Sequence, residues 1–121
     1  MTDDVIQQTI FTQGEGVVFV NKFFASTRED QEWLVQELKS FTEDTMRHQP
    51  GFISATLHKS FDGLTVINYA RWRSADDFKR ATENPAMEDH RQRLGGRFRR
   101  EGALGTVTYT CIAEQKSAEA K

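Results

Sequence analysis

The chain has 121 residues, room for one domain, and a domain of that size buries only a modest share of its surface unless a partner subunit helps. Hydrophobic residues make up 37% and charged residues 28%, an ordinary globular balance, and a formal net charge of −2 provides no bulk attraction to nucleic acid or an anionic membrane. No apolar run approaches the roughly 18 residues of a membrane span, the acidic start Met1-Thr2-Asp3-Asp4 lacks the positive charge of a secretory signal, and the single Cys111 allows no internal disulfide, all of which points to the cytoplasm.

Residues 1–15 are polar apart from Ile10 and Phe11 and read as an N-terminal arm; residues 115–121 read as a C-terminal tail, and residues 16–114 form the domain. Residues 16–25 are rich in β-branched and aromatic side chains and predict a strand. Ser26-Thr27 offers an N-cap, with Glu29 three residues after Ser26, and a helix runs from there to about His48. Its apolar stripe is Leu34, Leu38 and Phe41, continued by Thr45 and flanked by Trp33; Pro50-Gly51 ends it. Residues 52–61 and 64–72 predict two strands joined by a tight turn at Asp62-Gly63. Ser74 with Asp77 caps a short helix to about Thr82, and Asn84-Pro85 opens another to about Leu94. After Gly95-Gly96, residues 103–113 predict the last strand, and the alternation around Cys111 predicts a small buried side chain there.

The order strand, helix, strand, strand, broken helix, strand fits an α+β fold: a ferredoxin-like, four-stranded antiparallel sheet with helices on one face. Along the third strand Leu64, Val66, Asn68, Ala70 and Trp72 point one way, and Thr65, Ile67, Tyr69 and Arg71 the other. Both faces carry large apolar groups. Two sheets packed across a homodimer, a dimeric α+β barrel, resolve that pattern.

Asn68 and Trp72 share a face with the small Ala70 between them, leaving space for a flat ring. On the first strand Phe19, Asn21 and Phe23 share a face, so one amide sits among aromatic rings. Buried amides must be satisfied, and an apolar slot with a few aimed polar groups is the anatomy of a small-molecule site. Alternation also allows a plainer reading, in which each asparagine ties down a turn or bulge and Trp72 is core.

Three segments carry a resemblance: Val17-Val18-Phe19-Val20-Asn21-Lys22-Phe23, Gln49-Pro50-Gly51-Phe52 and Val66-Ile67-Asn68-Tyr69-Ala70-Arg71-Trp72. Together they resemble the antibiotic biosynthesis monooxygenase family over residues 16–113, and are similar to its cofactor-independent anthrone oxygenases of aromatic polyketide pathways. The resemblance implies oxidation of an anthrone-like substrate to a quinone with dioxygen as co-substrate and no cofactor or metal. It implies Asn21, Asn68 and Trp72 as catalytic residues, with Phe19, Phe23, Ala70, Phe78 and His90 around the substrate. Some relatives use a tyrosine shortly after the tryptophan, where this chain has Phe78, so the subgroup relying on asparagine and tryptophan is the one implied. Haem-degrading barrels also resemble the chain in the first-strand asparagine, and His90 lies about where their iron ligand stands. The tryptophan they carry one helical turn earlier is replaced here by Ala81-Thr82, and a lone histidine among Glu88, Asp89 and Arg91 reads as solvated. A barrel that binds or cyclises a polyketide without oxidation is a third reading. The cluster Arg91, Arg93, Arg97, Arg99 and Arg100 has few interleaved aromatics and reads as solvated, dimer-bridging or carboxylate-binding rather than as a nucleic-acid site.

Overall fold

Three helices begin where a short polar side chain takes over an orphaned backbone N–H. In the computed structural model, which describes residues 16–114, Thr27 caps α1 (Arg28–Asp44), its Oγ1 accepting from the Asp30 N–H at 3.0 Å. Ser74 caps α2 (Ala75–Thr82) through the Asp77 N–H at 3.1 Å, and Asn84 caps α3 (Pro85–Leu94) through the Ala86 N–H at 2.8 Å. The cap of α1 is thus Thr27 rather than Ser26, and the helix stops at Asp44, with Met46–His48 wound into one 3-10 turn. The predicted arm and tail lie outside the described residues.

Four strands form one antiparallel sheet: β1 (Val17–Phe24), β2 (Phe52–Lys59), β3 (Thr65–Trp72) and β4 (Arg99–Gly105), in the order β2-β3-β1-β4. This is the ferredoxin-like order, with the helices over one face. Asp62 builds the β2–β3 turn, its Oδ1 accepting from the Leu64 N–H at 2.9 Å and from the Ser60 hydroxyl at 2.6 Å, while Gly63 takes the positive φ of 83°.

The last strand corrects the prediction of 103–113. Backbone pairing with β1 begins at Arg99 opposite Phe24 and ends at Gly105 opposite Val18. The side chains of β4 are exposed, so no hydrophobic alternation marks it. Residues 106–114, which do alternate, belong to no strand of the sheet, and Cys111 is exposed rather than buried, because nothing among the described residues covers that segment.

Two apolar clusters fill the space between sheet and helices. Phe23, Leu34, Leu38, Val66, Leu94 and Phe98 form one; Phe41, Met46, Ala70, Trp72 and Ala81 form the other. Gln31, buried on α1, donates from Nε2 to the Ser60 and Thr65 carbonyls at 3.1 and 2.9 Å and ties the helix to the hairpin. At the other end Asp77, only 2% exposed, accepts at 2.9 Å from each of Arg73 Nε, Arg80 Nη2 and the Ser74 hydroxyl.

Those donors, Arg73 first, hold the Asp77 carboxyl down at about 2, below its ordinary 3.8. A lowered folded-state pKa means that the ionised group stabilises the fold fully above about pH 4 and loses that contribution as pH falls toward 2. The stability gap between wild type and Asp77→Asn therefore shrinks as pH drops through that window. Urea midpoints at pH 7 and pH 3 measure it; an unchanged gap would assign the stabilisation to shape rather than charge.

Candidate active site

A cavity of about 320 Å³ lies between helices and sheet at the seam of the two clusters. Its floor is set by strand register. Asn21 on β1 is directly opposite Asn68 on β3, and Gly102 on β4 is opposite Asn21, so one row across the sheet carries both amides. The neighbouring row runs Ala55, Ala70, Phe19 and Leu104, and its two alanines keep the floor low on the Asn68 side. Alternation put Asn21 and Asn68 each on an inner face; pairing makes them neighbours.

The β4 glycine has a steric reason. A Cβ on Gly102 would stand 3.2 Å from Cε1 and Cζ of Phe19 and 3.4 Å from Oδ1 of Asn21, so both side chains occupy the room that a larger residue would take. No sequence pattern marked Gly102 or Ala55, because a glycine or alanine in a strand has no apolar signature.

Aromatic rings make the walls. Trp72 meets Phe52 edge-on at 5.2 Å and Phe78 edge-on at 5.7 Å, and Phe78 leans against Phe19 at 4.7 Å. Phe78 therefore sits in the cavity where a hydroxyl would be reachable, and supplies none. Tyr69 is on the opposite face of the sheet, as alternation requires.

His90 corrects the solvated reading. It is 5% exposed, and its ring lies flat on Phe41 of α1, with centroids 3.9 Å apart and planes within 3°. Burial, chiefly, lowers its pKa from 6.5 to about 4, opposed by Glu37 and assisted by Arg93, Arg100 and Arg91. The ring is neutral at physiological pH.

The basic cluster is mostly paired: Arg91 with Glu88 at 3.0 Å, Arg97 with Asp30 at 3.1 Å, Arg99 with Glu101 at 2.9 Å, and Arg93 with Glu37. Arg91 and Arg100 also line the cavity. Among the described residues no group of three or more His, Cys, Asp or Glu side chains could hold a metal ion, and no helix is long and apolar enough to cross a membrane.

The cavity's polar atoms set it apart from ordinary core. Asn68, Trp72 and His90 line it, and Asn68 Oδ1, Trp72 Nε1 and His90 Nδ1 are buried with no hydrogen-bond partner among the described residues. An unpaired buried polar atom costs about 1–3 kcal/mol, so the three together are a large cost for a wall that serves only the fold. A bound molecule with complementary groups would remove it. The profile of the antibiotic biosynthesis monooxygenase family matches residues 17–93, well over half of the chain. The chain belongs to that family.

Within the antibiotic biosynthesis monooxygenases, the chain is 46% identical over 67 residues to tetracenomycin-F1 monooxygenase of Streptomyces glaucescens, a match spanning 55% of this chain and 60% of that enzyme. SnoaB of Streptomyces nogalater, described as a cofactor-independent oxygenase, is 28% identical and superposes with a TM-score of 0.67 over 80% of this chain and 97% of its own. The ActVA-Orf6 monooxygenase of Streptomyces coelicolor, solved with the ligand nanaomycin D, is 27% identical with a TM-score of 0.74 over 83% of this chain and 94% of its own. Family membership and fold agree with the resemblance read from the three sequence segments.

Proposed function

We propose that this family member is a monooxygenase that oxidises an anthrone-like aromatic polyketide to its quinone with dioxygen, without a prosthetic group. One observation carries the reading: two hydrogen-bonding atoms, Asn68 Oδ1 and Trp72 Nε1, are buried without partners on residues that line a largely apolar slot rich in aromatic rings. Further support comes from a cofactor-independent oxygenase and a ligand-bound monooxygenase that share the fold above 25% identity.

The chemistry asks little of the protein beyond placement and polarity. An anthrone methylene loses a proton to give a carbanion delocalised onto the ring carbonyl. That carbanion passes one electron to dioxygen, and the two radicals combine into a peroxide. Protonation gives a hydroperoxide, which loses one water and leaves the quinone, so one oxygen atom enters the product and the other leaves as water. Negative charge appears first on the carbonyl oxygen and then on the peroxide. Aimed donors in a dry site stabilise both.

Asn68 and Asn21, side by side in one row, are the amide donors; turning an amide about its last torsion exchanges oxygen for NH₂. Trp72 contributes its indole N–H beside Ala70. Phe19, Phe23, Phe78 and Ala70 hold the ring plane, and His90 borders the substrate. Phe78 cannot relay a proton. A homodimer belongs to the same proposal: the outer sheet face carries Val20 and Tyr69, paired with each other and each 37% exposed, and the alternating residues 106–112 leave the sheet beside that face, an apolar surface that a second copy would cover.

Chelator-treated protein incubated aerobically with a tricyclic anthrone tests the reading. Quinone absorbance and dioxygen uptake should rise together, one for one and faster than in buffer. Trp72→Phe keeps the edge contacts with Phe52 and Phe78 and loses one hydrogen bond, so turnover should fall about tenfold. Wild-type turnover in that variant would remove the N–H from the mechanism. A Soret band on haem titration, with no anthrone oxidation, would replace the oxygenase reading by the haem one.

A further inference from the structure

The oxygenase reading uses two of the three unpartnered polar atoms on the residues that line the cavity and leaves the third, on His90, without a role. The imidazole is not a wall group by default. It stands on α3 against Phe41 of α1, lines the slot that holds the asparagine row, and is buried with Nδ1 unpaired. We propose that His90 selects the substrate: one imidazole nitrogen accepts a hydrogen bond from a phenolic hydroxyl on the aromatic ring system, so the slot prefers hydroxylated rings to bare ones.

The surroundings decide between accepting a hydrogen bond and taking a proton. Glu37 from α1 favours the imidazolium, but it is paired with Arg93; Arg93 and Arg91 on the same helix and Arg100 from β4 oppose it, as does burial. The ring stays neutral down to a pKa of about 4. A phenol ionises near 10, so moving its proton fully onto this imidazole is uphill by about six pK units. A neutral imidazole instead offers one acceptor nitrogen and one N–H throughout the neutral range. The acceptor matches a hydroxyl donor, and the positive ends of Arg91 and Arg100, which line the same cavity, favour an oxygen that gains negative charge as it donates. Parallel stacking on Phe41 fixes the ring plane, so the hydroxyl must arrive in that plane. Sites built to bind a hydroxyl discriminate strongly against analogues that lack it, because the protein's polar atom is then left unpaired.

This inference rests on the reading of the cavity as an aromatic-substrate site, and its test separates the two. The substrates are anthrone and its 2- and 3-hydroxy derivatives, whose hydroxyls are not tied up by the ring carbonyl. In wild type, kcat/KM for the better hydroxy derivative should exceed that for anthrone by at least about tenfold, mainly through KM. In His90→Phe, which keeps a flat ring against Phe41 but has no nitrogen, the ratio should fall toward one. His90→Leu reads the same ratio if the phenylalanine variant does not fold. Binding of the matching anthraquinones without dioxygen, followed by quenching of tryptophan fluorescence, should show the same loss of preference. A ratio unchanged by removing the imidazole overturns the proposal, as does a wild type with no preference for either hydroxyl. If none of the anthrones is oxidised, the oxygenase reading fails, yet the binding ratio still decides the role of His90.

Discussion

Asn68→Ala should lower anthrone turnover by about 10²-fold or more while leaving the protein at least as stable as wild type. The two halves of that expectation have separate physical origins. Asn68 is half-buried and its Oδ1 is buried without a partner, so truncation breaks no hydrogen bond to Oδ1 and removes a polar atom from a largely apolar wall. A core residue of similar size would destabilise on truncation; here the lost desolvation cost offsets the lost packing. Turnover suffers because a preorganised donor in a dry site stabilises charge that appears only during reaction. Dioxygen uptake at saturating anthrone, together with a thermal melt, measures both halves. A loss of only a few fold would take Asn68 out of the oxyanion role, and a large drop in melting temperature would make it structural.

Gly51→Ala should do the reverse, with a large loss of stability and little loss of turnover per folded molecule. Gly51 has φ of 86°, where an L-residue is strained, and its added Cβ would stand 2.4 Å from both Cγ and Oδ2 of Asp77. Asp77 cannot step aside cheaply, because it is buried and holds Arg73, Arg80 and Ser74, while the Gly51 carbonyl accepts from the Arg73 N–H at 2.7 Å. Backbone strain plus the broken carboxylate network should cost about 3 kcal/mol, a fall in melting temperature on the order of 10 °C. Gly96→Ala is the control: no atom lies within 4 Å of its added Cβ, and its stability should hardly change. Equal melting temperatures for the two variants would mean that the Asp77 network yields without cost.

Much of this molecule was legible before folding was considered, because the signals are local. A side-chain oxygen three residues ahead of an N–H marks a helix start, as at Ser74 with Asp77. Apolar residues at Leu34, Leu38 and Phe41 mark the buried stripe of α1, and Asp62-Gly63 marks a turn whatever the strands beside it do. Alternation likewise put Asn68, Ala70 and Trp72 on one face and Asn21 among phenylalanines. These are properties of neighbouring residues, so the sequence by itself determined them, and with them the ferredoxin-like order and the family resemblance.

What it left open depends on contacts between distant segments. The β1–β3 register sets Asn21 opposite Asn68, and the β1–β4 register sets Gly102 opposite Asn21; backbone hydrogen bonds choose both, and no periodicity along one strand records them. The same cause moved the last strand to Arg99–Gly105, where pairing with β1 outweighs the better alternation of residues 106–112. His90 looked solvated among its charged neighbours, and became a buried, neutral ring because α3 turns that one position onto Phe41 of α1. Helix facing and strand register are decided by packing across the core, and only the tertiary structure carries them.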